Sequence, residues 1–163
     1  MVSREVISLH FSNCVPEHKK FNCPDEDYTL VAENFFAAFD GVTLMHQKPY
    51  PNPSPARRAA EIGAQTAASA CKEGASAGED RLRLAFSRAN AAIRMYNESR
   101  GITPSTTDYL QKQFAATVGA FGFVDDDRLY FGQINDCGVR VYEHNKVVMD
   151  LVIERGPTER YMA

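Results

Sequence analysis

Five apolar residues in succession, Phe35-Phe36-Ala37-Ala38-Phe39, run directly into Asp40-Gly41 and follow a Glu33-Asn34 turn signal. A short apolar run bounded by turn residues fits a buried central strand. The strand delivers a carboxylate to its own end. Asp40 then sits at the mouth of the core, partly desolvated, which is costly unless a cation or a metal offsets its charge. Gly41 leaves room for a backbone carbonyl to approach an ion or a bound water.

The preceding segment, Tyr28-Thr29-Leu30-Val31-Ala32, is β-prone and is itself preceded by Asp25-Glu26-Asp27. Antiparallel pairing through Glu33-Asn34 brings Asp27 and Asp40 out at the same end of the hairpin. Oxygen ligands clustered this way suit Mg²⁺ or Mn²⁺. The competing explanation is a charge run that caps a strand and stays solvated. Further upstream, Val2–Phe11 alternates, with Ser3, Glu5, Ile7, Leu9 and Phe11 on the more apolar side, which predicts a half-buried strand. Residues 12–24 read as a loop.

After Gly41 comes a loop to Pro55 containing Pro49, Pro51, Pro53 and Pro55. Ser54 is placed to cap a helix and Pro55 suits its first turn. Ala56–Lys72 is Ala-rich at helical spacing, and its small residues imply close packing. Glu79–Arg100 is the clearest helix, with Leu82, Ala85-Phe86, Ala89, Ala92-Ile93 and Tyr96 at three- and four-residue steps. Strand patterns return at Phe114–Val124, Arg128–Ile134, Val139–Glu143 and Lys146–Glu154. Between them lie Asp125-Asp126-Asp127, Asn135-Asp136-Cys137-Gly138 and His144-Asn145. Strands, two helices, then strands predict an α+β fold: an αββα sandwich of two antiparallel sheets with the helices packed outside.

The 163 residues suit a single domain spanning 1–163. A net charge of −3 argues against a non-specific nucleic-acid binder. No run of about 18 apolar residues offers a membrane span, and the N-terminus lacks the long apolar core of a signal peptide. Cys14, Cys23, Cys71 and Cys137 are widely spaced, which points to reduced thiols and a cytoplasmic protein.

The ordered set Glu26-Asp27, Asp40-Gly41, the small-residue helix Arg58–Ala70 and Ala85–Ile93 (AFSRANAAI) continues with Ala115–Val118 (AATV) and Leu129–Tyr142 (LYFGQINDCGVRVY). It resembles the metal-dependent protein phosphatases of the 2C family, over nearly the whole of this chain. That family's motifs are an Asn-Glu-Asp type, a strand end V-x-D-G, a G-T-T-A strand and a V-G-D-S-R turn. The resemblance implies two Mn²⁺ or Mg²⁺ ions in a cleft between the sheets. A bridging water would attack a phosphoserine or phosphothreonine phosphorus. Asp40 would bridge both ions, the Gly41 carbonyl would hold one, and Glu26 and Asp27 would bind through water or support the ligands. Asp136 would be a structural residue near the site.

Departures from the family pattern shape the expectations. The position of the family's phosphate-gripping Arg is Asn22, so Lys19 and Lys20 become the candidate phosphate-binding residues, as point charges without a bidentate fork. Asp40-Gly41-Val42-Thr43-Leu44 replaces a glycine-rich loop. Family domains run longer, and the resemblance covers their N-terminal two-thirds, so the sandwich is expected to be incomplete at its C-terminal side. His46 is a candidate general acid, against the alternative of a surface histidine in a solvated loop. Arg57-Arg58 could attract phosphate at a helix start. Asn135-Asp136 on its own reads as a bulge or turn. Cys14, His18 and Cys23 fall short of a zinc ligand set.

The leading expectation is therefore a metal-dependent phosphoserine/phosphothreonine phosphatase. Its runner-up is a catalytically inactive relative that binds or regulates. An unrelated hydrolase with an N-terminal nucleophile is disfavoured by the start Met1-Val2-Ser3. The expected partner is a phosphorylated protein substrate or a regulatory protein, with no nucleic acid and no membrane. Self-association through an exposed sheet edge is expected as well.

Overall fold

The computed structural model describes residues 25–42, 52–73, 78–103, 105, 114–135 and 137–151. The predicted strand Val2–Phe11, the loop 12–24 and most of the proline-rich loop lie outside them. Eight elements follow one another: β1 (Tyr28–Ala32), β2 (Phe35–Gly41), α1 (Pro55–Lys72), α2 (Gly78–Ser99), β3 (Thr117–Asp125), β4 (Arg128–Ile134), β5 (Val139–Glu143) and β6 (Lys146–Leu151). The first four strands form an antiparallel sheet in the order β1-β2-β3-β4, and β5-β6 form a second antiparallel sheet. This is the α+β class, with a helix pair and two antiparallel sheets. Among the described residues no helix is long and apolar enough to cross a membrane.

The register sorts the side chains. Phe39 pairs with Tyr28 and Gly119, and Ala37 with Leu30 and Phe121. With Phe35 and Phe123 these residues make the helix-facing side, in one core with Ala60, Ala64 and Ala67 of α1 and Ala85 and Ala89 of α2. Phe86 of α2 reaches Phe121 with ring centroids 4.2 Å apart. The opposite side carries Val31, Phe36, Ala38, Val118, Ala120, Leu129 and Phe131.

β2 is central, as its sequence predicts, yet its burial alternates. Phe35, Ala37 and Phe39 are buried, Phe36 is half-buried and Ala38 is exposed. The cause lies in the helices, which pack their small-residue faces on the Phe35–Phe39 side.

Close approach decides how α1 sits. A methyl group at Gly119 would lie 2.6 Å from Cδ1 of Phe39, and one at Gly63 would lie 3.0 Å from Cε1 of the same ring. The Phe39 ring thus fills the gap between an α1 glycine and a β3 glycine. Neither glycine is interchangeable with alanine without displacing that ring.

The predicted strand Phe114–Val124 starts later, at Thr117. The reason is the Asn97 side chain of α2. Its Oδ1 accepts from the Ala115 N–H at 2.9 Å and its Nδ2 donates to the Ala115 carbonyl at 2.8 Å. Both backbone groups of Ala115 are therefore satisfied outside the ladder. Predicted and observed helices agree to within a residue or two.

Gly119→Ala is expected to cost about 1–3 kcal/mol through overpacking against Phe39, and Phe39→Leu in the same chain should recover part of that loss. Urea unfolding of the single and double variants measures both.

Candidate functional site

The strand end that carries Asp40 is built by three elements. The last rungs of β1–β2 are Thr29–Ala38 and Tyr28–Phe39. The Gly41 N–H donates to the Glu26 carbonyl at 3.2 Å, which carries the same register past Tyr28. Asp27 therefore falls opposite Asp40, and Glu26 opposite Gly41. Strand alternation then separates the acids. Asp27 and Asp40 belong to the face turned away from the helices, with Asp40 exposed and Asp27 half-buried. Glu26 belongs to the helix face and is buried. Asp25 fixes the approach to β1, since its Oδ1 accepts from the Asp27 N–H at 3.1 Å.

Glu26 meets the start of α1. Its Oε1 accepts from the Ser54 hydroxyl. The same Ser54 Oγ accepts from the Arg57 N–H at 3.0 Å, and the Ser54 carbonyl accepts from the Arg58 N–H at 3.0 Å. Ser54 is 1% exposed, so this is a buried N-cap with a carboxyl group behind it. Pro55 follows in the first turn, as the sequence predicts. A methyl group at Gly41 would lie 2.6 Å from the carbonyl carbon and oxygen of Ala56. Only a residue without a side chain lets the first turn of α1 rest on the end of β2.

β3 closes the third side. The Thr117 hydroxyl lies 2.6 Å from the Asp40 carbonyl and 2.9 Å from its neighbour's, Val118. The Val42 N–H donates to the Ala116 carbonyl at 3.0 Å. Thr117 was legible only as part of the AATV motif; its contact with Asp40 depends on a pairing between residues 77 apart. Arg57 also enters here, with its guanidinium 5.1 Å from the centre of the Tyr28 ring. Its neighbour Arg58 pairs instead with Glu61 at 2.7 Å.

The structure thus brings Asp27, Asp40 and Gly41 to one sheet end and sets Glu26 on the other side of the same end. Two facing carboxylates are hard oxygen donors and fit Mg²⁺ or Mn²⁺ in kind. Among the described residues no three His, Cys, Asp or Glu side chains gather around one point. Lys19, Lys20, His46 and Asp136 lie outside the described residues, as do Cys14, His18 and Cys23. Asn135, beside Asp136, adopts a left-handed backbone with φ of 61°, in keeping with a turn.

Cys71 is a buried thiol on α1. Burial pushes it up to about 11, with the Arg81 charge opposing. A neutral, enclosed thiol of this kind is inert. A separate cavity of about 280 Å³ opens between the second half of α2 and the approach to β3, lined by Ile93, Ile102 and Phe114 with Asn90 and Arg94. Its polar wall residue Asn97 is fully engaged by Ala115 and Ile93.

Comparison of the chain with protein-family models, with curated proteins and with solved structures finds no match.

Ser54→Ala removes a helix cap and strips the buried Glu26 of its hydroxyl partner, with an expected loss of about 2 kcal/mol in urea unfolding. Glu26→Gln keeps an acceptor for Ser54 and should lose less. The Cys71 thiol has a second signature. Its folded pKa lies above its unfolded one, so the neutral thiol's contribution to stability is whole below pH 9 and fades as pH rises toward 11. Cys71→Ala should therefore flatten the fall in stability across that window relative to the parent protein.

Proposed function

We propose that the Asp27–Asp40 strand end is the metal-binding centre of a phosphoserine/phosphothreonine phosphatase of the 2C type. The observation that carries this proposal is the register that sets Asp27 opposite Asp40 on the sheet face away from the helices. The resemblance implies a cleft between sheets as the place for the cations, and that face is the one the helices leave uncovered.

Each residue then has a physical task. Asp40 and Asp27 supply anionic oxygens from adjacent strands. Thr117 pins the Asp40 carbonyl, which holds the strand end in place beneath its carboxylate. Gly41 admits α1, and Ser54 ties α1 to Glu26, so the acids sit on paired strands rather than on a loop end. A bound Mn²⁺ or Mg²⁺ supplies an acidified water and neutralises phosphoryl oxygens. Arg57 stacks on Tyr28 on the helix side of β1, so the task of drawing a phosphate toward the strand end falls to other cations. Lys19 and Lys20 remain candidates for the same task and His46 for the general acid. The widely spaced cysteines suit reduced thiols, and the proposal places the protein in the cytoplasm.

The expected result is Mn²⁺-dependent hydrolysis of p-nitrophenyl phosphate that falls by about 100-fold or more in Asp40→Asn, since an anionic ligand of the reacting centre is lost. Asp126→Asn, at the β3–β4 turn, should leave the rate unchanged. A protein that binds a phosphopeptide in Mn²⁺ and turns over neither substrate would instead be a binding module on the same fold.

A further inference from the structure

The first residues of β3 run past the end of β4. Among the described residues the β3–β4 register begins at Gly119–Ile134, so Thr117 and Val118 pair with β2 alone. Just ahead of them, Ala115 lies outside the ladder. It is fully buried, and its N–H and carbonyl both go to the Asn97 side chain, at 2.9 Å and 2.8 Å. Packing alone does not hold this stretch, because a cavity of about 280 Å³ lies against Ala115, Ala116 and Thr117. Close-packed neighbours would restrain the chain from that side. Here the Asn97 amide takes their place.

Asn97 is itself firmly set, and it is 3% exposed. Its Nδ2 also donates to the Ile93 carbonyl at 3.2 Å, one turn back. Its own carbonyl accepts from the Arg100 and Ile102 N–H groups, each at 3.0 Å. From that post the chain runs straight to the acids. The Ala116 carbonyl accepts from the Val42 N–H at 3.0 Å, and the Thr117 hydroxyl lies 2.6 Å from the Asp40 carbonyl. The two bonds fall on either side of Gly41, so residues 115–117 hold the end of β2 that carries Asp40. Strand ends open more readily than strand centres. A carboxylate ligand is only as well placed as the backbone beneath it.

We propose that Asn97 is a positioning residue for cation binding at the Asp40 strand end, acting through Ala115 and Thr117. This role rests on the reading of that end as a metal centre. Asn97 fixes the start of β3 against α2, so that Thr117 reaches the Asp40 carbonyl and Asp40 stays opposite Asp27. Groups that orient a metal ligand set the affinity along with the ligand itself. A helix residue 18 positions before Ala115 thereby governs how tightly the strand end holds its cation.

Calorimetric titration of Mn²⁺ into the full chain tests this. Asn97→Ala lets water from the adjoining cavity satisfy Ala115 without fixing it. It should weaken Mn²⁺ binding about threefold or more. Thr117→Val removes the hydroxyl at near-constant shape and should weaken binding by a similar factor, and Thr117→Ser should recover most of that loss. A residue that acts through Thr117 matters little once the hydroxyl is gone. The double variant Asn97→Ala, Thr117→Val should therefore bind little worse than Thr117→Val alone. Where circular dichroism shows Asn97→Ala to be unfolded, the parent protein supplies the test. Coupling is reciprocal, so Mn²⁺ should slow hydrogen exchange at the Ala115 amide, and do so less in Thr117→Val. A folded Asn97→Ala that binds Mn²⁺ as the parent does overturns the proposal. So do losses that multiply in the double variant, or an Ala115 amide indifferent to Mn²⁺. A parent protein that binds no Mn²⁺ overturns the metal-centre reading, and this proposal with it.

Discussion

The ring of Phe39 lies between Gly63 of α1 and Gly119 of β3, and the rest of the structure follows from that seat. Because neither neighbour has a side chain, the helix comes down close on the sheet. Its alanines then reach the phenylalanines beneath them, in a core made of small residues against large rings. Two residues beyond Phe39 the chain meets α1 again, where Gly41 lies under Ala56. This second contact sets the helix start directly over Glu26, where Ser54 caps the helix and engages the carboxyl group together. β1 is thereby held to β2 at its last rung, and Asp27 is held opposite Asp40.

Much of this was legible in the chain. Phe35–Phe39 ending in Asp40-Gly41 announced a central strand with an acid at its end. Ser54-Pro55 announced a helix start, and the three- and four-residue steps from Leu82 to Tyr96 announced the second helix. Those signals are local, so sequence carries them. What escaped were consequences of distant pairings. Nothing near Asn97 in the sequence says that its amide will take both backbone groups of Ala115 and delay β3. Glu26 and Asp27 look alike as neighbours, yet alternation sends one beneath a helix and the other to the opposite face. The continuous apolar run suggested burial throughout, whereas the helices cover one side and Ala38 is exposed.

The two sheets divide the molecule's work. The four-stranded sheet uses its helix-facing side for stability and its opposite side for the acids. The β5–β6 hairpin contributes little to the core, since Val139 is its one buried residue. All six residues of β6 are exposed.

The central claim is that Asp27 and Asp40, and not the buried Glu26, present the cation-binding oxygens. Calorimetric titration of Mn²⁺ into the purified protein tests it most directly. Binding heat in the parent protein should vanish in Asp40→Asn, weaken in Asp27→Asn and persist in Glu26→Gln. Heat that survives intact in Asp40→Asn, or that disappears with Glu26→Gln alone, would contradict the account.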